Sequence, residues 1–217
     1  MIEELLPTQV SSAEAFADPP DAVLFAEEEA VIARAVDKRR REFTTGRWCA
    51  RRALERLGVE PAPLLPGERG APQWPAGVIG SITHCAGYRA AVAARKDQVH
   101  AVGIDAEPHD RLPDGVLDVV SLPTERERLV RLSAARPSVH WDRILFSCKE
   151  SVYKAWYPLA REWLGFEDAE LEFGEGTFTA RLRKQGPPVD GRPLTGFTGR
   201  WLARDGLVVT AIAVPRL

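Results

Sequence analysis

The sequence predicts an α+β chain of two comparable subdomains, 1–104 and 105–217, joined near residue 105. Two observations carry this. The order of periodic segments is helices then strands, and after the middle of the chain helix then strands again. At 217 residues with 45% hydrophobic and 28% charged side chains, the chain can fill and cover two units of about 100 residues each.

Residues 1–25 read as an extended lead-in broken by Pro19-Pro20. From Ala26, EEEAVIARAVDKRR has helical spacing with Val31, Ile32 and Ala35 on one face. Thr44 or Thr45 is placed to cap a second helix that ends before Gly58, and Ala50, Ala53, Leu54 and Leu57 fall on its inward face. Residues 59–77, rich in Pro and Gly, predict a long loop. Strands follow at 78–83, 89–95 and 99–104, with Gly87 and Lys96-Asp97 as turns. Residues 108–123 read as irregular, leading into a short helix from Thr124. A long helix is predicted over 141–157, stopped by Pro158, and four strands close the chain at 169–173, 177–183, 197–203 and 207–214.

The bulk properties exclude several classes. A net charge of −2 argues against a general nucleic-acid binder, despite the KRRR run at 38–41. Cys49, Cys85 and Cys148 are odd in number and widely spaced, which fits free thiols in a cytoplasmic protein. The N-terminus lacks the apolar run of a signal peptide, and no stretch reaches the roughly 18 apolar residues of a spanning helix.

Four segments carry chemistry. In GIDAE (103–107), the two-residue period of a strand puts Asp105 and Glu107 on one side, half a site for a hard divalent cation. The plainer alternative is two solvated acids at a strand end. In FSCKESVYKAW (146–156), Glu150 and Lys154 share a helix face, with Lys149 about 100° around from Glu150. An ordinary surface ion pair is the alternative there, but the neighbours Phe146, Val152, Tyr153 and Trp156 are apolar, and charges among them need a partner or ligand. In GSITHCAG (80–87), Ser81 and His84 follow a strand in a small-residue turn where backbone and side chain can reach a phosphate, the plainer alternative being a structural or exposed loop histidine. Finally, Lys38, Arg39, Arg40 and Arg41, with Arg47 and Arg51 beyond, form either a solvated helix face or an anion site.

In this order the segments resemble the 4′-phosphopantetheinyl transferases of the surfactin-synthetase-activating type, closest to the actinobacterial branch. The matching motifs are REFTTGR at 41–47, GERGAP at 67–72, SITH at 81–84, GIDAE at 103–107 and KESVYKA at 149–155. The resemblance runs from about Lys38 to Trp163. It implies two pseudo-symmetric subdomains with coenzyme A in the cleft between them. It also implies holo-[acyl-carrier-protein] synthase activity, the transfer of phosphopantetheine to a serine of an apo acyl carrier or peptidyl carrier protein. Such carriers serve fatty acid, polyketide and nonribosomal peptide assembly. By the same resemblance Asp105, Glu107 and Glu150 are magnesium ligands, with manganese also acceptable to oxygen donors. Lys149 and Lys154 flank the pyrophosphate, and Ser81 and His84 touch the pyrophosphate and 3′-phosphate region. Arg39, Arg47 and Arg69 serve the 3′-phosphate and adenine, assisted by Arg40 or Arg51. Glu150 is the general base, with Glu125 the runner-up that helps polarise the serine. The carrier is expected on the loops after 108 and the helix near 124–132, where Arg126, Arg128 and Arg131 meet its acidic residues. Ala106 departs from the isoleucine or glutamate of many relatives, so water completes the metal shell. The internal duplication makes a monomer sufficient. A non-catalytic carrier-binding relative and an acyltransferase or thioesterase are the rival readings. All three carboxylates being present argues against the first, and no nucleophile–base pair supports the second.

Overall fold

The computed structural model describes residues 1–216. A 3-10 turn at Ile2–Leu5 precedes strand β1 (Val10–Ala15), then come helices α1 (Ala26–Val31) and α2 (Asp37–Arg56). Strands β2 (Val78–Cys85), β3 (Tyr88–Arg95) and β4 (Val99–Pro108) follow. The next helices are α3 (Val116–Val120), α4 (Pro123–Ala135) and α5 (Trp141–Ala160). The chain ends in β5 (Ala169–Gly174), β6 (Thr177–Leu182), a small hairpin of β7 (Pro188–Val189) and β8 (Arg192–Pro193), β9 (Gly196–Arg204) and β10 (Leu207–Pro215). No helix of the described residues is long and apolar enough to cross a membrane.

Two antiparallel sheets result, β1-β3-β2 and β4-β10-β9-β6-β5. Alternation assigns their faces. Ala91 and Ala93 of β3 pack under α2, whereas Ala90, Val92 and Ala94 turn to a core shared with Ile104, Ala106 and Val209 of the second sheet. The opposite face of the second sheet buries Val208 and Ile212 against Ile144, Cys148, Val152 and Trp156 of α5. Behind that helix, the hydroxyl of Ser151 lies 2.6 Å from that of Thr210 on β10, and the Ser147 hydroxyl 3.0 Å from it, pinning α5 to the sheet.

The seam between the sheets is built from side chains. Strand β4 offers its free edge to β2, but the ladder is not backbone to backbone. The Ser81 hydroxyl accepts from Ile104 N–H at 3.2 Å, and the Thr83 hydroxyl accepts from Ala106 N–H at 3.0 Å. Buried edge amides are thereby satisfied by two hydroxyls of one strand face.

Several expected elements differ. The lead-in contains β1, whose small residues VSSAEA give a weak strand signal yet complete the first sheet. Helix α1 stops at Val31, and α2 begins at Asp37, not at Thr44 or Thr45. Thr45 is buried within the helix and its hydroxyl donates to Asp18 at 2.7 Å, so it caps nothing. The 108–123 stretch includes α3, and α4 starts one residue before Thr124, with Pro123 in its first turn where a missing N–H costs nothing. Helix α5 runs through Pro158 to Ala160, because this proline removes only one hydrogen bond in the last turn, and Arg161 then ends the helix in the left-handed region. The expected junction at 104/105 falls inside β4, which pairs with β10 from Val99 to Pro108.

Candidate active site

A cavity of about 620 Å³ opens along this seam, between α2, the loop around Gly67–Pro72, β2, β4 and α5. Arg39, Arg47, Arg69, Ser81, His84, Glu150 and Lys154 all line it, so most of the residues singled out in the sequence converge. Its wall carries seven basic side chains, the four named and Lys96, Arg161 and Arg216, against Glu42, Glu68 and Glu150. In a chain of net charge −2 this wall carries four more cationic than anionic side chains, a local potential that favours an anion.

Helix α2 supplies one wall by simple periodicity, since Arg39, Phe43 and Arg47 recur every four residues on one face. Arg47 is buried. Its Nε donates to the Leu64 carbonyl at 2.9 Å and its guanidinium lies 4.0 Å over the Phe43 ring. Burial pulls its pKa down to about 10, still charged at neutral pH. Arg39 is exposed and donates to His84 Nε2 at 3.2 Å. Arg69 holds a left-handed backbone (φ 54°) at the loop tip and reaches across to the Trp163 ring at 5.7 Å.

The opposite wall depends on Gly103. A Cβ there would come within 2.2 Å of the Ser151 carbonyl oxygen and 2.6 Å of the Ala155 nitrogen, so only glycine lets α5 lie this close to β4. That approach sets Lys154 Nζ 2.7 Å from Asp105 Oδ1. Asp105 is buried, Thr83 also donates to Oδ1 at 3.2 Å, and its Oδ2 is buried with no partner. Glu107, on the same strand face, is held by Arg143 at 2.8 Å. Burial, and then the Asp105 charge, raise the pKa values of both Glu107 and Glu150. Glu107 and Glu150 thus both lie near enough to Asp105 to feel its charge. Among the described residues, however, no three His, Cys, Asp or Glu side chains are gathered as a set that could hold a metal ion.

Two predicted residues lie elsewhere, and their expected places are corrected here. Lys149 points away from the cavity wall, and its ammonium donates to Glu125 at 2.8 Å, Phe166 O at 2.6 Å and Ala169 O at 2.8 Å. Its three protons are used and its side chain is 2% exposed, so it has nothing left for a pyrophosphate. Burial lowers its pKa, and the bond to Glu125 opposes this. Glu125 is equally committed, accepting also from Leu122 N–H and Leu171 N–H at 2.7 Å each. It caps α4 and ties it to β5, and it does not line the cavity. Arg40 pairs with Glu29, and Arg51 with buried Glu28, both outside the cavity wall.

Sequence reasoning missed Thr83, Arg143, Phe43 and Glu42. Thr83 is two residues after Ser81 and shares its strand face, Arg143 lies seven residues before Glu150 on one helix face, and Phe43 lies four before Arg47. Those spacings were the available signal.

Comparison with known proteins agrees with the motif pattern. Residues 27–94 match the 4′-phosphopantetheinyl transferase N-terminal domain, and residues 101–196 match the 4′-phosphopantetheinyl transferase superfamily. The chain is 60% identical to the 4′-phosphopantetheinyl transferase Svp of Streptomyces mobaraensis, over 99% of this chain and 89% of that protein. It is 51% identical to PptT of Mycobacterium tuberculosis (99% and 98% covered) and 52% identical to Npt of Nocardia iowensis (98% and 99% covered), both also named 4′-phosphopantetheinyl transferases.

Proposed function

The chain belongs to the 4′-phosphopantetheinyl transferase superfamily, and from that premise we propose which groups of the cleft perform the transfer. The enzyme moves phosphopantetheine from coenzyme A onto a serine of a carrier protein. A bond forms from the serine oxygen to the phosphorus next to pantetheine, and the bond from that phosphorus to adenosine 3′,5′-bisphosphate breaks. The observation that carries the assignment is the pair Glu150 and Lys154 on the wall of a cavity rich in cations, with buried Asp105 holding Lys154 from behind.

Coenzyme A lies along the seam, its 3′-phosphate and adenine toward Arg39, Arg47, Arg69 and His84, its pyrophosphate toward Lys154 and Ser81. Lys154 is partly exposed and held by Asp105, so its ammonium is aimed before substrate arrives and donates to phosphate oxygens as negative charge shifts to the leaving group. The Ser81 hydroxyl accepts from the β4 edge and keeps its own proton to offer the pyrophosphate. Glu150 is in no ion pair among the described residues, lines the cavity, and takes the serine proton.

Asp105, Glu107 and Glu150 have the donor chemistry a hard divalent cation takes, all carboxylate oxygens with Asp105 Oδ2 buried and unpartnered among the described residues, although the three are not gathered there as a metal-binding set. Magnesium, when bound there, supplies charge neutralisation at the pyrophosphate. The Lys154–Asp105 and Arg143–Glu107 contacts hold two of these acids in position before the ion enters.

The carrier docks at the α3–α4 corner, where Val119 and Val130 are 75% and 70% exposed and Arg131 is exposed beside them. Arg126 and Arg128 are partly engaged with Asp118 and with Glu170 and Glu172. Three free cysteines suit a reducing cytoplasm, and a cavity lined wholly by one chain suits a monomer. The test is substitution: Asp105→Ala and Glu150→Ala each abolish transfer with the thermal transition retained. A variant that keeps the wild-type rate removes that residue from the site.

A further inference from the structure

Glu42 stands in the cationic cavity with no role in the assignments above. Its side chain is 12% exposed, and its Oε2 lies 3.6 Å from His84 Nδ1. On the other side of the same ring, Arg39 Nη1 lies 3.2 Å from Nε2. Arginine only donates and does not lose its proton near neutrality. Nε2 must therefore accept, and the neutral imidazole carries its proton on Nδ1, toward Glu42. The tautomer follows from the neighbours, both from one turn of α2.

The remaining charges around His84 are Arg89 of β3, its direct partner across the ladder, and Lys154 of α5. Arg89 is held by Asp18 at 3.4 Å. Burial lowers the His84 pKa first; Glu42 opposes that, and Arg39, Lys154 and Arg89 reinforce it. In the free protein the ring is neutral above its ordinary range.

A phosphate arriving at Arg39 changes this balance. The guanidinium fork turns to the phosphate oxygens, Nε2 loses its donor, and an anion faces it instead. A proton from solvent then binds Nε2 and is donated to the phosphate, while Nδ1–H remains directed at Glu42. We propose that Glu42 is a positioning residue for coenzyme A recognition: it fixes the His84 tautomer in the free protein and stabilises the imidazolium formed when the terminal phosphate docks. Binding of coenzyme A then takes up a proton, and the Glu42–His84 pair distinguishes coenzyme A from dephospho-coenzyme A. The inference rests on the 3′-phosphate lying at Arg39 and His84, as assigned above.

The phosphate itself cannot mimic this signal. Its second pKa is about 6, and entry into a cationic site makes it lose protons, the opposite sign. Calorimetric titration of the full chain with coenzyme A at pH 8, in buffers of different ionisation heat, reads the uptake directly. The wild type takes up protons, at most one per coenzyme A as a single imidazole becoming charged allows, and none with dephospho-coenzyme A. Glu42→Gln, of the same size, reduces the uptake and weakens coenzyme A binding about tenfold, equivalent to one pKa unit on the imidazole. No uptake by the wild type, equal uptake with both ligands, or undiminished uptake in Glu42→Gln overturns the proposal. His84→Asn separates the two assignments. If it leaves the preference for coenzyme A intact, the phosphate does not lie at His84. If the preference is lost but the wild type takes up no proton, only the Glu42 inference fails.

Discussion

Replacing Gly103 by alanine asks whether the distance between β4 and α5 sets the chemistry. The added methyl meets backbone on both counts, the Ser151 carbonyl at 2.2 Å and the Ala155 nitrogen at 2.6 Å. Backbone cannot rotate away as a side chain does. Restoring even a tight 3.0 Å contact requires the helix to retreat by roughly 0.8 Å in a core packed as densely as a crystal. Overpacking of this kind costs about 1–3 kcal/mol. For a chain of this size, at about 2–4 °C per kcal/mol, the Tm falls by about 2–12 °C. The retreat also lengthens the 2.7 Å contact of Lys154 with Asp105 and carries Glu150 away from the strand. A misplacement near 1 Å lowers the rate by about a hundredfold. Initial rates of transfer to an apo carrier protein, with thermal unfolding in parallel, measure both. A variant with wild-type rate and unchanged Tm would refute the claim that this close approach positions the site.

Lys149→Met tests the corrected place of that residue. It leaves Glu125 charged and buried, which costs about 3–5 kcal/mol, so the Tm drops while coenzyme A affinity holds. An unchanged Tm with lost coenzyme A binding would return Lys149 to the pyrophosphate. Arg39→Ala removes an exposed side chain with little structural cost. Charged hydrogen bonds contribute about 1.5–3 kcal/mol, so the KM for coenzyme A rises by about 10- to 100-fold, and an unchanged KM excludes Arg39 from the nucleotide site.

The strands from β2 to β4 and from β9 to β10 were legible because they are short apolar runs bounded by turn residues. Helix α5 was legible because its apolar face repeats over many turns. Strand β1 was not, since Ser11, Ser12 and Ala13 carry little apolar signal until a neighbouring strand buries them. Thr44 and Thr45 suggested a cap, because local chemistry does not reveal that Asp18, 27 residues earlier, waits for Thr45. The same limit applies within the site. Asp105, Glu150 and Lys154 share a strand side or a helix face, so spacing found them. Lys149 is adjacent to Glu150 in sequence, but a helix turns by about 100° per residue, and that step carries it into the Glu125 pair. Thr83 and Arg143 act across elements, on Asp105 and Glu107; spacing marks the face each lies on, but the partner it meets follows from how the sheets and α5 assemble.

The central claim is that this cleft transfers phosphopantetheine with the help of a divalent cation. Intact-protein mass spectrometry of an apo carrier protein, incubated with the enzyme, coenzyme A and magnesium, with and without chelator, tests it most directly. The account predicts a gain of one phosphopantetheine that chelator abolishes and added magnesium restores. A gain unaffected by chelator would contradict the metal assignment, and no gain on several unrelated carriers, with coenzyme A bound, would contradict the transfer itself.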